Sequence, residues 1–285
     1  MTEKRLYAIV LRLAATRAGA LPINHGDQVR GALLNLIRKG DSPLAKALHD
    51  GNTSKPYAIS FVKGGKRGRD GAHHFGEGDR ADWRFSLMMQ PVFEALLKKY
   101  LLNSRLPHVR IGAINFAIVD VFVSPEAHPD SGHISIADLT QGWQDNPPDL
   151  LSKRIILEFQ SPTAFSLGQD KQTKAYRFRT NPDAKTVFSV LRKRWVRLGG
   201  VDAGDEFDQW VDKNIEQQII DLQTQKMRVE KRVVTGFVGQ VAYQHYGENT
   251  RWLAYWNLLA DLTFWTGLGY QTTRGMGQVR RLLLE

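Results

Sequence analysis

The chain contains no cysteine. That excludes a disulfide framework, a thiolate nucleophile and a Cys-ligated zinc, and it fits a reducing compartment such as the cytoplasm. Long apolar runs are missing as well. No stretch approaches the ~18 residues of a membrane-spanning helix, so no membrane partner is expected. The opening segment, MTEKRLYAIVLRLAATRAG, is broken by Arg5, Arg12 and Arg17 and lacks the apolar core of a signal peptide. Acidic residues are in deficit: 29 Asp+Glu face 39 Lys+Arg among 285 residues, a formal net charge of +10. Such an excess favours a polyanionic partner, most simply nucleic acid. Hydrophobic and charged contents of 42% and 24% are ordinary for a globular chain. They set aside disorder, collagen and coiled coil, and the length corresponds to about two domains.

Residues 5–14 read as a buried strand. Val29, Ala32, Leu33, Leu36 and Ile37 then recur at i, i+3, i+4, i+7 and i+8, one face of a helix opened by Asp27 and closed by Gly40. Ser42-Pro43 starts a second, short helix reaching His49. Strands at 57–63 and 83–88 flank a glycine-rich charged segment, 64–80, read as a mobile loop. A metal site among His73, His74, Glu77 and Asp79 is set aside, because such a loop would not preorganise it. Pro91 opens another helix, and 109–123 reads as a long or broken strand. This β-α-β-β-α-β order is the ferredoxin-like unit. Residues 124–150, with Pro125, Pro129, Pro147 and Pro148, read as a linker.

The same order then returns. It comprises a strand at 154–160, helices at 182–198 and 207–223, paired strands at 226–234 and 237–246, an apolar helix at 248–265 and a final strand at 277–284. The expected fold is α+β, with tandem ferredoxin-like (RRM-like) βαββαβ domains at 1–140 and 141–285.

The charge is uneven. Residues 171–197 hold Lys171, Lys174, Arg177, Arg179, Lys185, Arg192, Lys193, Arg194 and Arg197, opposed within that window by Asp183 alone. A one-sided basic helix suits a phosphate backbone, where each neutralised phosphate releases counterions. The most specific local motif is GLGYQTTRGMG, residues 267–277, between an apolar helix and the last strand. It is neither a dinucleotide fingerprint nor a Walker loop. With Gly267, Gly269, Gly275 and Gly277 around Arg274, it reads as a loop able to approach phosphates closely.

That loop resembles the signature of the CRISPR-associated repeat-processing endoribonucleases, the Cas-six family of the repeat-associated RNA-binding superfamily. Other segments resemble the family in the same order: LPINHGDQVRGALLNLI, LAKALHDGNTSKPYAIS, LEFQSPTAF and TGFVGQVAY. The resemblance implies a metal-independent endoribonuclease with no cofactor, acting on repeat RNA in precursor crRNA as part of antiviral defence. In that chemistry a 2′-hydroxyl attacks the adjacent phosphate, leaving 2′,3′-cyclic phosphate and 5′-hydroxyl ends, and the product stays bound. Other CRISPR effector subunits are a second class of partner.

By position in the motif, His49 is the catalytic histidine and Lys55 the phosphate-stabilising lysine, with His25 the second candidate for the proton role. The charge imbalance assigns RNA contacts to Lys171, Lys174, Arg177, Arg179, Lys185, Arg192, Lys193 and Arg197, and the glycine-rich loop is read as packing against RNA backbone. One position departs from the pattern: Leu34 stands where the family carries a tyrosine, with Ser54, Tyr57 and Arg30 as possible replacements. That departure keeps a non-catalytic RNA-binding subunit of the same fold as the alternative.

Overall fold

The computed structural model describes residues 4–50, 55–97, 108–147, 150–229 and 232–283. The chain divides into two units. The N-terminal unit is Arg5–Ile134 together with Thr273–Gly275; the C-terminal unit contains Ser135–Thr272 and the residues from Met276 onward.

The N-terminal unit is built from β1 (Arg5–Ala15), β2 (Gly19–Leu21), α1 (Gly26–Gly40), α2 (Ser42–Asp50), β3 (Tyr57–Gly64), β4 (Lys66–Arg67), β5 (His73–Phe75), β6 (Arg80–Leu87), α3 (Gln90–Leu96), β7 (His108–Ile111), β8 (Ile114–Phe122) and β9 (Gly132–Ser135). Its main sheet runs β3-β6-β1-β8-β7, with β9 also paired to β1. Reduced to the strands of one βαββαβ unit, this is second-third-first-fourth, the ferredoxin-like arrangement. Alternate residues of β1 (Tyr7, Ile9, Leu11 and Leu13) enter one core with Val29, Leu33, Leu36 and Ile37 of α1 and Val92 of α3. The period of two on the strand and 3.6 on the helix meet there. Each fully buried aliphatic or Phe side chain contributes about 1.5–3 kcal/mol.

Three expectations for this half change. The segment 109–123 is a hairpin, β7 and β8, with Gly112 at positive φ in its turn. The segment 64–80 is not a mobile loop: β4 and β5 join β2 in a small three-stranded sheet. The stretch read as a linker holds β9 and the helix α4 (Ile136–Gln144), which Ser135 caps by accepting from the Asp138 amide. Among the described residues no group of three His, Asp or Glu is placed to hold a metal.

The C-terminal unit continues with β10 (Arg154–Thr163), β11 (Phe165–Gln169), β12 (Tyr176–Arg179), α5 (Ala184–Leu198), α6 (Gly204–Asn214), β13 (Ile215–Val229), β14 (Arg232–His245), α7 (Leu253–Thr266) and β15 (Val279–Leu282). Its sheet runs β13-β14-β10-β15, again second-third-first-fourth. The two halves are therefore tandem ferredoxin-like units. Helix α7 is apolar on nearly every side because it packs against α4, α5, β10 and β15.

The largest correction lies at 215–229. The expected helix through Gln223 ends at Asn214, and the chain becomes one long strand paired to β14 from Ile215 to Val229. Ile215, Ile219 and Leu222 imitate a helical stripe, yet Ile219 is 59% exposed in the strand. Ladder pairing with β14 overrides the helix-compatible composition of a Gln-rich segment.

Candidate active site and nucleic-acid surface

Helix α2 places His49. The Asp41 carboxylate opens the helix by accepting from the Leu44 amide at 2.9 Å. Ala45 and Leu48 bury its inner face, which turns His49 outward. His49 lies in a groove of about 570 Å³ between α1 and α2, lined also by Gly31, Leu34, Asn35, Arg38 and Lys46. Its Nδ1 stands 3.0 Å from the Asp50 carboxylate. With Nδ1–H donated to Asp50, Nε2 is the nitrogen left to exchange a proton.

Lys55 follows the segment 51–54, which lies outside the described residues and includes Ser54. Its ammonium is pushed below the ordinary lysine range, first by partial burial and then by the positive charge of Arg30; Asp50 opposes the shift. Arg30, Lys55 and Asp50 thus share one electrostatic neighbourhood, and Asp50 ties it to His49. Leu34 is half-buried in the groove wall and packs on the core. Tyr57 cannot supply the missing phenol, because it is wholly buried in the core. Asp50, Asn35 and Lys46 are site residues that sequence reasoning passed over. The i, i+4 spacing of Lys46 with Asp50, and of Gly31 with Asn35, on two adjoining helices was the available signal.

His25 does not suit the proton role proposed for it. It is 1% exposed and both ring nitrogens are engaged. Nδ1 donates to the Pro22 carbonyl at 2.7 Å, and Nε2 accepts from the Val62 amide at 2.9 Å. Burial lowers its pKa from 6.5 to about 4, so the ring is neutral and joins the start of α1 to β3. The sign of the resulting pH effect follows. Between pH 6.5 and 4 the unfolded chain takes up a proton that the folded chain refuses. This group's stabilisation is therefore present above about pH 6.5 and is lost as pH falls toward 4. His25→Gln, which does not titrate, is expected to show a shallower fall of Tm across that interval. Parallel curves for the two proteins would refute the assignment.

The basic stretch is only partly open to a ligand. Arg192 is not a surface contact: it is buried and pairs with Asp202, Asp205 and Asp208 at 2.6, 3.1 and 2.9 Å. Arg179 pairs with Asp183, and Lys185 with Asp212. Arg194 also turns inward, donating to the Thr266, Gly267 and Gly269 carbonyls. Burial and neighbouring Arg197 lower its pKa to about 10. Lys171, Lys174, Arg177, Lys193 and Arg197 are exposed.

The glycine-rich loop is closed on itself more than it is open to phosphate. The Leu268 amide donates to Gly277 O, the Tyr270 amide to Ala164 O, the Gly277 amide to Pro162 O and the Gln278 amide to Ser161 Oγ. Those donors are spent. Arg274 pairs with Asp27 of α1 at 2.6 Å and is largely buried. Gly267, Gly269, Gly275 and Gly277 serve loop geometry, all at positive φ.

Residues 157–279 match the family model of the CRISPR-associated endoribonuclease Cas6. No curated protein matches the chain. Among solved structures, a Cas6 product complex superposes with a TM-score of 0.75 at 20% identity, covering 97% of this chain and 100% of that one. A second Cas6 product complex gives 0.72 at 25% identity, over 98% and 100%. Cas6 from Thermus thermophilus gives 0.73 at 18% identity, over 99% and 100%. The family-model match covers residues 157–279, and along its length the chain shares the fold of these Cas6 structures.

Proposed function

We propose that this protein processes CRISPR repeat RNA in precursor transcripts by metal-independent endonucleolytic cleavage at the α1–α2 groove. The observation that carries the reading is His49, open in the groove with its Nδ1 held by Asp50, a carboxylate that also acts on Lys55. As the 2′-hydroxyl oxygen bonds to phosphorus, its proton leaves and the P–O5′ bond breaks; a second proton reaches the departing 5′-oxygen. His49 moves one of these protons at Nε2. Lys55 and Arg30 balance the charge that builds on the phosphorane oxygens. Lys55, displaced below the ordinary lysine range, is also a better donor to the leaving oxygen than an unshifted lysine. The exposed cations of the C-terminal unit support retention of the product.

Leu34 supports a second reading, an RNA-binding subunit without cleavage, because no phenol faces the groove from that position. One assay separates the two. The protein is incubated with the repeat RNA encoded near its own gene, with and without EDTA, and with a 2′-deoxynucleotide before the cut. Cleavage is expected to persist in EDTA and to stop on the deoxy substrate. Binding without cleavage would establish the second reading, and cutting of the deoxy substrate would exclude 2′-hydroxyl attack.

A further inference from the structure

We propose that the β11–β12 hairpin carries a stacking site for an unpaired RNA base, formed by Tyr176 beneath Arg232; the inference rests on the RNA-processing reading above. The sequence holds seven Trp, eight Tyr and 13 Phe, and their spacing does not say which ring meets a ligand. The structure does. Among the described residues only Tyr176 and Tyr246 are exposed aromatics. Tyr246 stands just past the far end of β14, where its hydroxyl accepts from Gln218. Tyr176 lies among cations. Arg232, the first residue of β14, places its guanidinium carbon 3.7 Å from the Tyr176 ring centroid.

Lys171, Lys174 and Arg177 are exposed on the same hairpin and pair with no carboxylate among the described residues. The one acidic residue there, Asp170, is turned into the turn: its Oδ1 accepts from the Gln172 and Thr173 amides and the Thr173 hydroxyl. Tyr176 and Phe178, two residues apart on β12, project from one face. Phe178 in turn lies 5.0 Å from Tyr270 of the glycine-rich loop. A row of rings therefore leads from Arg232 to that loop.

The chemistry this row recognises is a flat π-face next to a phosphodiester. Aromatic rings and guanidinium planes both stack on unpaired bases with little sequence preference, while the lysines and Arg177 neutralise the adjoining phosphates. A paired duplex keeps its bases inside the helix and offers no such face. The site accordingly selects a single-stranded segment of the substrate.

The test uses the full chain and two RNAs, the repeat RNA as a single strand and the same RNA closed by its complement. Tyr176→Ala is expected to weaken single-strand binding by about 5- to 140-fold, with duplex binding unchanged. Tyr176→Phe keeps the ring and should stay within about threefold of the parent. The single-turnover cleavage rate at saturating protein should not change, and thermal melting checks that the variants fold. Equal binding by Tyr176→Ala and the parent, or an equal loss on both RNAs, would overturn the stacking site alone. Failure of the parent protein to bind either RNA would overturn the RNA-processing reading itself.

Discussion

His49→Ala is expected to lower the single-turnover cleavage of repeat RNA by about 10²- to 10⁴-fold, the usual contribution of a positioned proton-transfer group, while RNA affinity changes little. Three features set that expectation. His49 is exposed in the α1–α2 groove, so a ligand can reach it. Asp50 holds Nδ1 at 3.0 Å, which fixes the tautomer and leaves Nε2 for the reacting oxygen. Asp50 also acts on Lys55, which Arg30 further shifts, so the carboxylate that holds His49 feels a nearby lysine. Removing the imidazole removes the proton path without disturbing a core contact, so the loss should appear in the rate and not in Tm. Cleavage by His49→Ala at the parent rate would take this residue out of the chemistry. Loss of rate with an equal loss of affinity would make it an RNA contact instead.

Gly277→Ala is expected to destabilise the protein by about 2–5 kcal/mol, the sum of a left-handed backbone penalty and overpacking. Gly277 has φ +66°, and a Cβ built there would lie 2.0 Å from the Leu268 carbonyl oxygen. That oxygen belongs to the backbone of the loop that Gly277 closes, where Gly277 O accepts from the Leu268 amide and its own amide donates to Pro162 O. The collision cannot be relieved by rotating a side chain; it must shift the loop that Arg194 holds by its carbonyls. Gly142→Ala is the control: it lies in α4 with nothing within 4 Å of its Cβ position. That change should be neutral or slightly stabilising, since alanine is the better helix former. Denaturant unfolding of both variants decides the matter, and indistinguishable midpoints for Gly277→Ala and the parent would show that the loop tolerates a side chain.

The elements that read correctly in the sequence are those whose pattern is local. The α1 stripe from Val29 to Ile37 repeats within a few residues and buries the face it announces, and the apolar run of β1 buries both of its faces. The segment 215–229 fails for the same reason in reverse: its apolar spacing fits a helix, and only the partner strand β14 makes it a strand. Residues 64–80 looked mobile because glycine and charge dominate, yet β2, about 50 residues earlier in the chain, pairs with β5 and orders them. At the candidate site the His49–Lys55 spacing was legible, whereas Asp50's hold on the imidazole and Arg30's effect on Lys55 were not.

By itself the sequence determined the class of the fold, the +10 excess, the absence of thiol chemistry and the motifs that point to the family. Only the tertiary structure decided which of its cations and histidines are available. Arg192 and Lys185 are unopposed within residues 171–197 because their carboxylates, Asp202, Asp205, Asp208 and Asp212, come from α6 and its approach, later in the chain. His25 and His49 are the same chemical group. One is neutral at 1% exposure with both nitrogens engaged, and the other is open to solvent with one nitrogen left. Periodicity is a property of neighbours along the chain. Burial and charge neutralisation depend on residues that folding brings in from far away, so they become visible only when the chain is folded.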